Sequence, residues 1–402
     1  MTNKFKQYFQ IIYNDLWGWY HKLSQLENKL LKFHTFLENG KYEFISLSPS
    51  VIVVKHIRVE AIPTTLQTTI SELWERTKNQ SMLRNILAKT RNILERSNRY
   101  MVISNDYLNT EKMANAQVAL IRPNGKILLF DVDKKIVFIK FSSKKVMHYN
   151  RLIQSAEMWG YAMIKDEIGK YFKLPNDKEP IGCFECQDLI DGEAFSQLSL
   201  SKRLRTVKEI CLSSKKISEN GKLSSTVSGF DIINEGFSLA LLNVQLPEML
   251  EYIKSRQEII IEYSKSWKMV PSHCDLTAHN ITIHNGHPIL LDLSPHKVGF
   301  VPAFFIPMCL IHSEAKEYGR FDLVNAYLNH ELDVELSFLF GKDLNDFDNK
   351  SLIDLLLAET LILAAIDSKI VPQNIHYWFD PIFKLMQTNL SDQVGNNSQI
   401  YN

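Results

Sequence analysis

At 402 residues the chain is too long for one compact core, so two or three domains are expected. Its 46 basic and 45 acidic residues leave a net charge of +1, which gives no electrostatic reason to infer a nucleic-acid or membrane partner. Five cysteines over this length do not form a disulfide framework.

The opening run Met-Thr-Asn-Lys-Phe-Lys-Gln-Tyr has no continuous apolar core, so no secretion signal is read. The longest apolar stretches, 298–311 and 355–366, are too short to span a bilayer. No membrane span and a cytoplasmic location follow as expectations. Residues 4–38 carry Phe5, Tyr8, Phe9, Ile12, Leu16, Trp19 and Leu23 at helical spacing, residues 43–61 are β-rich, and 65–97 return to a helical pattern. Residues 1–97 are read as an accessory domain that packs on the next one or mediates a homodimer.

Three apolar runs follow at 117–121, 127–130 and 136–141, punctuated by Arg122-Pro-Asn-Gly125 and by 131–135, which is hairpin chemistry. Lys140 sits inside the third run, on a strand of β-branched and aromatic residues. Residues 146–163 have helical spacing, with Leu152, Ala156, Trp159 and Met163 on one face, and Glu157 lies 17 residues beyond Lys140. Val51-Ile-Val-Val-Lys55 is a second apolar run ending on lysine, with Glu72 at the same interval. Cys183 and Cys186 form a C-x-x-C without a second pair at zinc-like spacing, and a buried strand explains them better than a metal.

Residues 200–228 are rich in Ser, Lys and Arg and read as a solvated helix and loop, or as a basic rim for an anionic acceptor. Between residues 321 and 360 nine acids face only Lys342 and Lys350, so solvated acidic helix faces, or a site for a cationic acceptor, are expected there.

Residues 273–292 say most about chemistry. Asp275, Asn280 and Asp292 lie at intervals suited to Mg-nucleotide phosphoryl transfer, in which one carboxylate orients a hydroxyl while an amide oxygen and a second carboxylate hold the metal. Asn285-Gly286 predicts a tight turn between two apolar strands, which returns Asn280 and Asp292 to the same end. His273-Cys274-Asp275 with Asn280 resembles the H-G-D-L-H-x-x-N catalytic loop of the aminoglycoside phosphotransferase and choline kinase group. Leu291-Asp292-Leu293 resembles that group's I-D-[WF] metal element. Cys274 replaces the usual Gly and Leu293 the usual aromatic residue; neither change removes a group the chemistry needs.

The resemblance implies an α+β, protein-kinase-like, two-lobed fold: a small antiparallel-sheet lobe over 98–190 and a mainly helical catalytic lobe over 191–402. It implies an ATP- and Mg²⁺-dependent transfer to a hydroxyl of a small molecule. Asp275 would be the catalytic base, His273 a residue holding the catalytic loop, and Asn280 and Asp292 the metal ligands. Lys140, preferred over Lys55 because a hinge-like segment follows it, would contact the phosphates and pair with Glu157. The backbone of Cys186, Gln187, Asp188 and Leu189 would meet the adenine edge. Two other classes stay open: a nucleotide-binding scaffold without turnover, and a metal-dependent hydrolase built on His273, Asp275, His279, His284 and His287.

Overall fold

The computed structural model describes residues 127–140, 158–181, 184–293, 297–366 and 378–387, together with residue 116 and the backbone of five further strands between residues 30 and 121. Lys55 and Lys140 are described by backbone alone, and Glu72, Glu157 and Cys183 lie outside the described residues. The chain divides into two units, 1–145 with 175–191, and 146–174 with 192–402.

The first unit is built on an antiparallel sheet of seven strands. In spatial order these are β2 (Tyr42–Leu47), β3 (Ser50–Lys55), β5 (Val118–Ile121), β6 (Ile127–Asp131), β7 (Ile136–Lys140), β9 (Phe184–Asp188) and β8 (Asp177–Ile181). A separate pair joins β1 (Leu30–Lys32) to β4 (Val102–Ser104). Strands from both sides of residue 97 thus share the large sheet. β7 has neighbours on both edges, and Val137, Phe138 and Ile139 are all buried, as an interior strand demands. The β6–β7 connection is tight: Asp131 accepts the Lys134 N–H at 2.9 Å, and Lys135 takes a left-handed φ of 54°.

The second unit is mainly helical. Its helices are α1 (Tyr161–Gly169), α2 (Leu200–Asn220), α3 (Gly229–Asn243), α4 (Pro247–Ser264), α5 (Phe305–Tyr318), α6 (Asp322–Leu328), α7 (Asp333–Phe340) and α8 (Asn349–Ile366). α5 is buried on every side from Phe305 to Lys316, so it is a core helix and not an amphipathic surface one. α8 packs against α3 where Gly236 lets the backbones meet; a Cβ there would sit 2.3 Å from the Leu361 carbonyl oxygen. The single helix expected over 146–163 is interrupted: residues 158–159 are helical, Gly160 adopts φ 78°, and α1 starts afresh at Tyr161. Glycine alone adopts that backbone without strain. Met163, expected on the apolar face, is exposed, and Ile164 and Ile168 fill the core instead.

The charged segments are partly solvated and partly internal: of the basic residues of α2 only Arg203 is buried, while Lys202 and Arg205 pair at the surface. On α2, Lys202, Arg203, Arg205 and Lys208 pair with Glu193, with Glu314 and Asp322, with Glu209, and with Glu335. Lys215 lies over the Phe338 ring. Among the acids of 321–360, Asp333 meets His330, Asp354 meets Arg256, and Glu359 is held by Lys316 and His312. Asp343 and Asp348 accept backbone N–H groups of Asn345 and Ser351. Of the acids expected to be solvated, Glu331, Asp343, Asp346 and Asp348 are exposed, while Asp322, Glu335, Asp354 and Glu359 instead join helices.

Candidate active site

Two antiparallel ladders carry residues 269–302 of the second unit. β11 (Met269–His273) pairs with β14 (Val298–Pro302), and β12 (Ile281–His284) pairs with β13 (His287–Leu290) and, on its other edge, with the short β10 (Glu193–Ala194). Asn285 and Gly286 have φ of 50° and 77°, the two left-handed residues a type I′ hairpin turn requires. Each ladder extends one step toward the other: the Cys274 N–H donates to the Lys297 carbonyl at 2.7 Å, and the Leu291 N–H to the Asn280 carbonyl at 2.8 Å. Between those bonds lie residues 275–279 on one side and 292–296 on the other, and of these 275–279, Asp292 and Leu293 belong to no strand. Asp275 and Asp292 open the two arms of this break, and Asn280 and Lys297 close them.

The first arm is a compact loop. The Thr277 N–H bonds the Asp275 carbonyl at 3.0 Å, and the Asn280 N–H bonds the Thr277 carbonyl at 3.0 Å. Asn280 Nδ2 donates to the Asp275 carbonyl at 2.6 Å, which turns its Oδ1 away as an acceptor. α5 supports the loop from below: Ser313 Oγ accepts the Ala278 N–H at 3.2 Å, and Glu317 meets His279 Nε2 at 2.5 Å.

His273 ties the two arms together. Its Nδ1 accepts the Asp275 backbone N–H at 3.1 Å, so the proton sits on Nε2, which donates to the Leu291 carbonyl at 2.9 Å. Burial holds its pKa below the usual histidine value, against the opposing pull of Asp275, so the ring stays neutral. Both nitrogens are spent on backbone beside the two carboxylates, which is a positioning arrangement.

Asp292 has φ 59°, uncommon for a residue with a side chain and seen most for Asn and Asp. The next residue is anchored from α1, where Tyr161 donates its hydroxyl to the Leu293 carbonyl at 2.5 Å. Strained backbone of this kind collects at functional sites.

The residue that sequence reasoning missed is Lys297. Its ammonium pairs with Asp275 Oδ2 and lies 3.3 Å from Asp292 Oδ2. Burial lowers its pKa, but the two carboxylates outweigh that and hold it above the ordinary lysine value. The side chains of Lys297, Asp275 and Asp292 remain 26%, 34% and 27% exposed, so the cluster is open to a ligand. The available signal was a lone lysine immediately ahead of the apolar run 298–302.

The histidines of the hydrolase alternative do not converge. His279 is turned to Glu317, and His284 and His287 face each other across the hairpin tip. Among the described residues no three His, Cys, Asp or Glu side chains gather at one point. Asp275, Asn280 and Asp292 do come together, through the loop and the ladder break.

In the first unit, Lys140 ends β7 opposite Ile127, and β7 pairs directly with β9. Cys186 is buried in β9, with Phe138 on one side and Lys178 on the other, and Gln187 pairs with Val137 and Asp177. The Asp188 N–H is donated to the Asn176 carbonyl at 2.9 Å and the Leu189 N–H to the Lys135 carbonyl at 2.8 Å. These two donors, expected to meet an adenine edge, already serve the sheet. The Asp188 carboxylate is held below its usual pKa by Lys178 and Asn176.

No family model matches the chain, and no curated protein is similar to it. Among solved structures it is similar to choline kinase LicA from Streptococcus pneumoniae, at 14% identity and a TM-score of 0.41 over 66% of this chain and 89% of that one. It is similar to an ethanolamine kinase from Plasmodium vivax, at 14% identity and a TM-score of 0.42 over 65% and 78%. An aminoglycoside phosphotransferase solved with streptomycin and ATP is a third, at 14% identity and a TM-score of 0.39 over 65% and 88%.

Proposed function

We propose that the chain is an ATP- and Mg²⁺-dependent phosphotransferase of protein-kinase-like, two-lobed fold that moves the γ-phosphate to a hydroxyl of a small molecule. The observation that carries this reading is the meeting of Asp275, Asn280 and Asp292 at one break in the β-ladder, with a cation between the carboxylates.

The donor set fits Mg²⁺. Carboxylate and amide oxygens are the hard ligands it takes, with water and phosphate oxygens completing its shell. Asp275 and Asp292 already attract one cation, the Lys297 ammonium. Asn280 and Asp292 would hold the metal, which when bound neutralises charge on the phosphates. Asp275 orients the acceptor hydroxyl and takes its proton. His273, neutral and bonded through both nitrogens, keeps Asp275 and the segment leading to Asp292 in place.

Lys140 is the better phosphate lysine because it ends the strand paired with β9, which runs into residues 189–192. Lys55 ends β3, on the far side of β5 and β6. Glu157 is the acid proposed to pair with Lys140. Because the N–H groups of Asp188 and Leu189 are engaged, the adenine contact is assigned to the chain beyond Leu189. The basic residues Lys202, Arg203, Arg205 and Lys208 of α2 are paired with acids of this chain, which does not favour a basic rim, and the most buried acids of 321–360, Asp333, Asp354 and Glu359, are likewise engaged within it.

Thermal melting with and without MgATP tests the reading. A ligand at about 100 times its Kd stabilises the folded state by about 2.7 kcal/mol. We expect a Mg-dependent shift in wild type that Asp292→Ala loses, followed by ADP release with a hydroxylated acceptor. A shift without turnover on any amino alcohol, sugar or aminoglycoside would assign the chain to nucleotide-binding scaffolds. No shift at millimolar MgATP would overturn the reading.

A further inference from the structure

We infer that Lys297 is a resident cation of the Asp275–Asp292 site, which competes with a divalent ion for Asp292 in the nucleotide-free protein and must release that carboxylate for the ion to bind. The inference rests on the phosphotransferase reading for its consequence, but its geometry is independent of it.

Three observations place Lys297 there by construction. Its backbone carbonyl accepts the Cys274 N–H at 2.7 Å, one step beyond the His273–Val298 pair, so the β11–β14 register fixes its Cα beside the catalytic loop. Its ammonium reaches both carboxylates, each on a different arm of the break, so one side chain bridges the arms. The groups that hold the backbone beside the two carboxylates are uncharged, namely the neutral His273 ring and the Tyr161 hydroxyl, while the carboxylate of Glu317 meets His279 at the far end of the first arm. Without Lys297, two carboxylates at the mouth of one loop would repel each other across the break.

Between them the ammonium and the two carboxylates are one positive charge short of neutral. A divalent ion held by Asn280 and Asp292 would supply two positive charges beside Asp275, and a lysine on a flexible four-carbon stem can vacate its position for it. The metal therefore binds against a competitor built into the chain. A nucleotide shifts the balance, because its phosphates bring acceptors for the metal and an anion for the displaced ammonium. The site so constructed holds little free metal and takes it up together with the nucleotide.

The test uses the full chain and Mn²⁺ as probe, with bound metal counted by electron paramagnetic resonance in the absence of nucleotide. Wild type should bind Mn²⁺ weakly, and Lys297→Met at least tenfold more tightly. Lys297→Arg, which restores the positive charge, should return to the wild-type affinity. Lys297→Met combined with Asp292→Ala should lose the gain. In parallel, Mg²⁺ alone should raise the melting temperature of Lys297→Met and leave wild type unmoved, a response that a merely structural lysine would not produce. If Lys297→Met does not fold, Lys297→Gln answers the same question. Equal or weaker Mn²⁺ binding by the uncharged variants would overturn the inference. A MgATP shift in wild type with no Mn²⁺ gain in the variant sinks the inference alone. A Mn²⁺ gain with no MgATP response sinks the phosphotransferase reading and leaves the resident cation standing.

Discussion

Two clusters in the helical unit each set a lysine against carboxylate, and they are built for opposite ends. In the core, Glu359 of α8 accepts from Lys316 Nζ at 2.6 and 2.8 Å, from His312 Nδ1 at 2.8 Å, from the Cys309 thiol at 3.1 Å and from the Thr360 hydroxyl at 3.2 Å. Every oxygen of that carboxylate is satisfied, and Glu359 and His312 are fully buried. At the ladder break, by contrast, one ammonium serves two carboxylates, and all three groups keep a quarter or more of their surface. A buried network, closed around a fully bonded carboxylate, joins α5 to α8 and specifies their packing. An under-neutralised, accessible one is prepared to exchange its cation. The difference shows that a count of charged pairs says little until the balance of charge and the access of water are known.

The largest effect should come from breaking the buried network. Lys316→Met leaves the Glu359 carboxylate without its counter-ion and should cost about 3–5 kcal/mol of unfolding free energy in urea melts. A loss below about 1 kcal/mol would show that the two clusters do not differ in the way described. At the ladder break the expectation reverses: Asp275→Asn should leave the urea midpoint nearly unchanged, yet lower the phosphoryl-transfer rate by about 10²–10⁴ in a coupled ADP assay. A large stability loss with retained turnover would break the comparison from that side.

Acid should separate the clusters next. Burial, aided by Lys316, pushes the His312 pKa down to about 4, from an ordinary value of 6.5. The unfolded chain therefore binds a proton between those values that the folded chain refuses, so stability falls as pH drops from 6.5 toward 4. Despite the opposing effect of burial, Lys316 and His312 hold the Glu359 pKa near 2, which adds a further loss below its ordinary value of 4.5. The histidine contribution is on the order of 2–3 kcal/mol, and His312→Gln should flatten the slope of stability between pH 6.5 and 4. The smallest effect is assigned to Tyr161→Phe. Loss of its hydroxyl from the Leu293 carbonyl should cost about 1 kcal/mol of stability. In MgATP titrations the same variant should weaken nucleotide affinity more than it changes turnover of the saturated protein.

Much of the scaffold around the site is legible in the sequence. The runs at 117–121, 127–130 and 136–141 announce β5 to β7 because their apolar residues lie between turn-forming pairs. Asn285-Gly286 announces the hairpin because both positions need left-handed backbone. The spacing of Asp275, Asn280 and Asp292 marks them, His273 comes from the resemblance to the kinase catalytic loop, and the loop and ladder break draw the four together. Lys297 was not legible, because its partnership with Asp275 depends on β14 returning to β11 in one register. No local periodicity states that. The helix break at Gly160 went unread for a different reason: a lone glycine inside an amphipathic pattern carries only a small penalty. The acids of 321–360 misled because composition does not reveal that Asp354 has Arg256 as a partner or Glu359 has Lys316. Those matches are set by helix packing between residues far apart in the chain.

The two arms of the ladder break are of equal length, five residues each, so the strands resume beyond it as partners in the same order. The site is thereby coded by length as much as by letter. Removing one residue from either arm would turn the following strand over and exchange its inward and outward side chains. The tip at Asn285-Gly286 lies four residue pairs away and carries none of the four clustered groups. For protein engineering, that tip is the port at which a reporter peptide can be spliced in, and the two arms are the segments whose length must be left alone.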